Sequence, residues 1–323
     1  MDKPGDRPLH HSTKGFINPE PEENHPGPAS WTRFFIGRLR YAATRQFMTP
    51  RPALKNDGRL IHHNPPLDAI TWIGHASFLI RMEGVSFLTD PVWSLRASPF
   101  SWAGPKRCVE PGLELGSLPP IDFVLVSHDH YDHFDAGTIM YLAGKGATFF
   151  TPPGFRKYFD RMNIKRFLEL DWEESAGFGK ITVTSTPARH FSGRGLFDRN
   201  RSLWAGWVVS GKKKRLFFMG DSGYFRGFKE TGRKYGPFDM AILPISAYLP
   251  AEIMHDIHMT PEEAIQASAD LQSRICVASH WGTFSLSDEP MDEPPARARK
   301  AAEKSLPSPS ALWLMRHGET RRW

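Results

Sequence analysis

The sequence predicts a mixed fold of the α/β or α+β kind, and three observations carry that prediction. From about Asp68 onward the chain breaks into short apolar runs rich in β-branched and aromatic residues, each closed by polar residues or glycine, as buried strands are. Between the last two runs stands Thr260-Pro261-Glu262-Glu263, an N-cap threonine with proline at the first helical position and glutamate at the third, which opens a helix through Leu271. Histidines and aspartates follow several runs closely, which puts polar chemistry at strand ends and leaves the runs free to pack.

At 323 residues, with 40% hydrophobic and 12% aromatic against 24% charged residues, the chain has apolar mass for one large or two modest domains; collagen, coiled coil and wholesale disorder are excluded. Residues 1 to about 28 are rich in Pro, Gly, Asn and charge without periodicity and read as a mobile arm. The net charge of +6 is localised, because residues 24–56 carry no acid and hold Arg33, Arg38, Arg40, Arg45, Arg51 and Lys55. Within that stretch Trp31, Phe34, Phe35, Leu39, Ala42, Ala43 and Phe47 recur at helical spacing among the arginines. Such a helix either docks its apolar face on the parent domain or, through residues 31–47, makes a peripheral contact with anionic lipid. Residues 1–60 are thus read as flexible arm and basic amphipathic segment, and 61–323 as the functional domain.

Inside that domain Ala69–Ile73 is followed by Ser77–Met82, a two-residue Glu83-Gly84 turn and Val85–Thr89, a hairpin plus a neighbour. Ile121–Val126, Ile181–Ser185, Arg215–Met219, Met240–Leu243 and Arg274–Ala278 continue the series of buried strands, and the charged, Pro-rich Pro290–Lys304 reads as a surface helix or loop. Two cysteines, Cys108 and Cys276, exclude a disulfide framework. With neither an apolar leader nor a membrane-length run, the expected location is cytoplasmic, at most peripheral to a membrane. No stacking or recognition motif points to nucleic acid.

Ser127-His128-Asp129-His130-Tyr131-Asp132-His133 follows the run that ends at Val126. So many ionisable groups at a strand end repel one another and lose hydration unless a cation offsets them, so the cluster predicts metal. His128 and His130 can face one ion from an extended loop, while Asp132 and His133, opening the next turn, can face a second. Four donors are too few for two sites. His190, Asp221 and His280 each stand just beyond another run, and the two oxygens of Asp221 allow it to bridge both ions. Imidazole and carboxylate suit zinc, with iron or manganese also compatible.

The His-x-His-x-Asp-His segment followed by spaced His, Asp and His resembles the metallo-β-lactamase superfamily. Further segments, among them Thr71-Trp72-Ile73-Gly74-His75-Ala76, Leu88-Thr89-Asp90-Pro91, Gly104-Pro105-Lys106-Arg107, Leu170-Asp171-Trp172, Gly220-Asp221-Ser222-Gly223-Tyr224 and His280-Trp281-Gly282-Thr283-Phe284, resemble in order the N-acyl-phosphatidylethanolamine-hydrolysing phospholipase D family. The resemblance implies a four-layer αββα sandwich with a dinuclear site at one edge. It implies two Zn2+, one held by His128, His130, His190 and Asp221, the other by Asp132, His133, Asp221 and His280, with other divalent ions compatible. It also implies substrate contacts at Tyr131 and His258, the latter beside the positive end of the predicted helix. His75 and Asp90 are read as supporting or structural residues, because seven ligands already fill two sites.

The implied reaction is hydrolysis of a lipid phosphodiester, N-acyl-phosphatidylethanolamine or a relative, to N-acylethanolamine and phosphatidate. Paired metals lower the pKa of a water from about 16 toward 7, and Asp132 or Asp221 handles the proton. A lactonase or other ester hydrolase on the same metal pair is the alternative, since fold and metal do not separate them. A non-catalytic metal-binding sensor is disfavoured by the presence of all seven ligands. Head group, acyl preference and oligomeric state are not legible.

Overall fold

The structure is a computed structural model that describes residues 8–21, 23–24, 26–44, 53–56, 58–63, 67–195, 197–305, 308 and 311–323. A small hairpin, β1 (His11–Ser12) and β2 (Gly15–Phe16), precedes helix α1 (Pro28–Thr44). The first sheet begins with β3 (Ala69–Gly74), β4 (Ser77–Met82) and β5 (Val85–Thr89) and continues through β6 (Phe123–Leu125), α2 (Ala136–Gly144), β7 (Thr148–Thr151), α3 (Arg156–Arg161) and β8 (Phe167–Glu169). The second comprises β9 (Ser175–Phe178), β10 (Ile181–Thr186), β11 (Gly206–Ser210), β12 (Arg215–Met219), α4 (Gly227–Tyr235), β13 (Phe238–Pro244), α5 (Ala251–Met254), α6 (Pro261–Asp270), β14 (Ser273–Ser279), α7 (Glu293–Ser305) and β15 (Leu312–Trp313). A final strand, β16 (Thr320–Arg322), returns to the first sheet beside β3.

Strand order is β16-β3-β4-β5-β6-β7-β8 in one sheet and β15-β14-β13-β12-β11-β10-β9 in the other. The hairpin strands pair antiparallel, whereas β5 to β8 and β12 to β15 run parallel, so helices must cross over the outer faces. Alternation along the strands then separates two faces. Trp72, Phe78, Phe87 and Phe123 from one sheet meet Val183, Trp207, Phe218 and Ile242 from the other in a shared core. The opposite faces pack on helices: Leu79, Val124 and Phe149 on Ile139, Leu142 and Phe159, and Val208, Phe217 and Ala241 on Phe228, Ala264 and Ala298. The result is an αββα sandwich whose strands, covered on both sides, read as continuous apolar runs.

Local chemistry explains the joints. Glu83 and Gly84 have φ of 51° and 85°, the turn type that matches strand twist in a two-residue hairpin. The Glu83 carboxylate accepts from the backbone N–H groups of Lys212, Lys213 and Lys214 at 2.8–2.9 Å, tying that hairpin to the β11–β12 turn of the other sheet. Thr260 and Glu263 form the reciprocal cap at the start of α6.

Two expectations need correction or limits. Residues 8–21 and 23–24 are docked on the sandwich, not detached: Phe16 N–H donates to the Asn200 carbonyl, the His190 N–H donates to Asn18 Oδ1, and the Asp256 carboxylate accepts from Glu23 and Asn24 N–H groups. A segment without periodicity can still be ordered when its backbone groups find partners elsewhere. The basic stretch does form α1, and its Trp31 and Phe34 pack against Ile253, Met254 and Ile257. Arg45, Phe47 and Arg51 lie outside the described residues, as do the side chains of Phe35, Arg38 and Arg40. Among the described residues, no helix is long and apolar enough to cross a membrane.

Candidate metal centre

Donor side chains gather where strands end. His75 follows β3, Asp90 follows β5, the 128–133 loop follows β6, and His190, Asp221 and His280 lie beyond β10, β12 and β14. His75, Asp90 and His280 adopt φ of 55°, 33° and 65°, unusual for residues with a side chain. The turn before Asp221 needs glycine, because a Cβ on Gly220 would overlap the Ser127 side chain.

The donors fall into two groups around Asp221. In the first, His130 Nδ1 lies 2.9 Å from His128 Nε2 and 3.3 Å from His190 Nε2, and these two Nε2 atoms are 3.8 and 3.7 Å from Asp221 Oδ2. In the second, Asp132 Oδ2 is 3.4 Å from His133 Nε2 and 3.6 Å from His280 Nε2. Asp221 approaches this pair too, with Oδ2 3.2 Å from His133 Nε2 and Oδ1 3.2 Å from His280 Nε2. All seven residues singled out in the sequence for metal binding are therefore in one cluster.

Surrounding groups aim the rings. Asp90 Oδ2 holds His133 Nδ1 at 2.7 Å and accepts from the Ser127 hydroxyl at 2.6 Å, and that hydroxyl lies 2.9 Å from His128 Nδ1. The Ile257 carbonyl holds His190 Nδ1 at 2.8 Å, and Ser246 Oγ lies 3.3 Å from His280 Nδ1. With these outer nitrogens engaged, the inner nitrogens point at one another. His133 Nε2, His280 Nε2 and Asp221 Oδ1 are buried without a hydrogen-bond partner. Buried polar atoms are rarely left so, and a divalent cation is the partner this donor chemistry fits.

Protonation divides the cluster: against the effect of burial, the Asp221 and Asp132 carboxylates hold His133 well above the usual imidazole range and His280 up to about 9, whereas the other groups shift toward the ligating state. Burial and the neighbouring His133 and His130 push His128 well below the usual imidazole range, and burial does the same to His190, leaving the neutral form that binds metals. Burial opposes charge on Asp221 and Asp132, but the adjacent His133 holds both carboxyls well below their ordinary values, in the ligating state.

Tyr131 stands on the rim, half-buried, with its hydroxyl donating to the Arg194 carbonyl at 3.1 Å and the Arg194 guanidinium 3.8 Å above its ring. His258 is buried, with Nδ1 unpaired and 4.0 Å from Asp221 Oδ2. His75 was placed outside the ligand set, and it reaches Asp132 Oδ2 at 2.9 Å through Nε2. Sequence reasoning missed Ser127 and Ser246, whose roles come from the ring nitrogens they face; the Ser-His dipeptide at 127–128 was the available signal. It also missed His10 and His11, which meet Asp171.

The chain matches the Beta-lactamase superfamily domain over residues 86–281 and belongs to that family, which implies binding of divalent metal. It is 45% identical over 241 residues to an uncharacterized protein of Mycobacterium tuberculosis, an overlap covering 73% of this chain and 64% of that one. It is also 39% identical over 293 residues to N-acyl-phosphatidylethanolamine-hydrolyzing phospholipase D 1 of Caenorhabditis elegans, covering 84% of this chain and 82% of the nematode protein. Among solved structures, Igni18, a metallo hydrolase from Ignicoccus hospitalis, superposes with a TM-score of 0.60 at 22% identity over 79% of this chain and 98% of its own, a likeness of fold. The chain is thus a member of the metallo-β-lactamase family, and it spans 64% of the length of its mycobacterial relative.

Proposed function

We propose that the protein is a zinc-dependent phosphodiesterase of phospholipase D type, which hydrolyses N-acyl-phosphatidylethanolamine or a related lipid phosphodiester to N-acylethanolamine and phosphatidate. The observation that carries this reading is the position of Asp221 between two groups of donors, one of His128, His130 and His190 and one of Asp132, His133 and His280. The likeness to the nematode enzyme supports the choice of substrate.

When bound, a pair of divalent ions supplies an acidified water and neutralises the charge that builds on phosphoryl oxygens during in-line displacement. The chain does the rest. Asp90, Ser127, the Ile257 carbonyl and Ser246 keep the ligand rings from turning, so little reorganisation accompanies the reaction. His258, lowered to about 4 by burial and the nearby His280, is a neutral imidazole at pH 7 whose free nitrogen binds and orients the phosphoryl group. Asp132 or Asp221 takes the proton that the attacking water gives up and returns it to the leaving alkoxide. Tyr131 contributes a hydroxyl to the substrate only by giving up its bond to the Arg194 carbonyl.

The surroundings suit a lipid. Phe191 stacks edge-on against His130 with centroids 4.5 Å apart and joins Ile253, Met254, Ile257, Trp31 and Phe34 in an apolar strip beside the donors. Acyl chains lie along this strip, and the exposed Arg33 of α1 faces an anionic bilayer surface.

The test is to incubate zinc-loaded protein with vesicles of N-acyl-phosphatidylethanolamine, with phosphatidylcholine vesicles and with a lactone, following products by mass spectrometry. N-acylethanolamine and phosphatidate are the expected products. Ring-opened lactone acid as the sole product would assign the site to carboxyl-ester chemistry and end the phospholipase reading.

A further inference from the structure

We propose that His10, His11 and Asp171 form a separate mononuclear metal site, which takes one divalent ion of the zinc class and clasps the amino-terminal segment to the sandwich. His10 Nε2 lies 2.7 Å from Asp171 Oδ1 and His11 Nε2 2.6 Å from Asp171 Oδ2. The three donor atoms lie within 4.8 Å of one another and are grouped apart from those of the central site.

The convergence of adjacent histidines is itself unusual. Neighbours in an extended strand point to opposite faces, so consecutive residues do not ordinarily share a target. Here His11 N–H donates to the Pro8 carbonyl at 2.9 Å, a tight turn that ends where β1 begins and swings His10 to the same side as His11. The Trp172 ring stacks on His10 at 4.1 Å and the Phe16 ring meets His11 edge-on at 5.0 Å, so both imidazoles are held in place from behind. Asp171 is fixed in turn by the Trp172 N–H, which donates to Oδ1 at 2.7 Å.

Two imidazoles and one carboxylate are the donor set of open three-ligand zinc sites, and side-chain exposures of 12%, 29% and 16% leave room for water in the remaining position. Donors around a tetrahedral zinc stand roughly 3.3 Å apart, so each histidine–aspartate contact needs to open by about 0.6 to 0.7 Å, within reach of side-chain rotation.

The position gives the site a use. A few residues beyond His11, Ile17 N–H returns to the His10 carbonyl, and Asn18 Oδ1 then accepts from the backbone N–H of His190 at 3.0 Å. His190 belongs to the central cluster, so an ion at the clasp fixes the segment that braces one of its residues.

The full chain and two variants, His10→Gln/His11→Gln and Asp171→Asn, are dialysed against Zn2+ and metal per chain is counted by mass spectrometry. Both variants are expected to hold one equivalent fewer than the unaltered chain, whatever the total. Tryptic cleavage after the exposed Lys14 gives a second reading: zinc is expected to slow it in the unaltered chain and leave it unchanged in the variants. Equal metal content in all three proteins, or equal zinc protection of Lys14, would show that the cluster is a hydrogen-bonded clasp without metal and overturn the proposal. Because the histidine pair sits on the surface hairpin and Asp171 on the sandwich, misfolding of one variant leaves the other to decide.

Discussion

The two sheets build the central cluster in opposite ways. The first delivers His128, His130, Asp132 and His133 from a single loop after β6, whereas the second delivers His190, Asp221 and His280 singly, from the ends of β10, β12 and β14. Donors on one loop are brought together by chain connectivity, at little loop-closure cost. Donors on three strand ends meet only when strand register and sheet packing are both correct. The comparison teaches that half of the site is a local motif and half is a product of the fold, and the two halves meet at Asp221.

Removing that meeting point gives the largest expected effect. Asp221→Ala takes an oxygen from both donor groups, so metal content should fall at both positions and kcat/KM on the vesicle substrate by at least about a thousandfold, or about 4 kcal/mol of transition-state stabilisation. Loss of metal from one group alone, with the other intact, would show that the carboxylate does not serve both. Metal content by mass spectrometry decides it.

Next comes the contact that aligns the sheets. Trp207 is fully buried in the shared core, and its indole N–H donates to the Val126 carbonyl at 3.2 Å, just before the donor loop. Trp207→Ala should cost about 3 to 5 kcal/mol in urea unfolding. If the distributed half depends on packing as argued, metal affinity should drop in the same variant even where it remains folded. Unchanged affinity would mean that strand ends hold their positions without the inter-sheet core.

A smaller effect is expected inside the local half. Asp90→Asn keeps the shape but weakens the grip on His133 Nδ1 and on Ser127, and should lower metal affinity by about 10- to 100-fold without shifting the melting temperature greatly. Competition with a chromogenic chelator measures it. A variant that binds metal as tightly as the parent would reduce Asp90 to a packing residue.

Much of this architecture is legible in the sequence. The hairpin at 77–89, the strand Arg215–Met219 and the capped helix from Pro261 appear where turn and capping chemistry put them, because those signals act over a few residues. Strands β7, β8, β9 and β11 were not read from the sequence, and for β8 and β9 the reason is physical. They are edge strands, with residues such as Leu168 and Ser175 exposed, so they show neither a continuous apolar run nor a clean alternation. Helix α4 was missed because Gly227, Gly232 and a majority of polar residues hide its narrow buried face. The docking of residues 8–21 and 23–24 was likewise hidden, since it rests on backbone and single side-chain bonds to Asn200, His190 and Asp256 and not on an apolar stripe.

By itself, the order of residues determined which stretches become buried strands and which donors stand at their ends, because hydrophobic period, turn residues and caps are short-range and written in neighbouring positions. Only the tertiary structure decided which donors meet. The pairing of His75 with Asp132, the burial of His258 beside Asp221 and the joining of His10 and His11 to Asp171 all link residues far apart in the chain. Such contacts depend on the register of strands and the stacking of sheets, which no local pattern encodes.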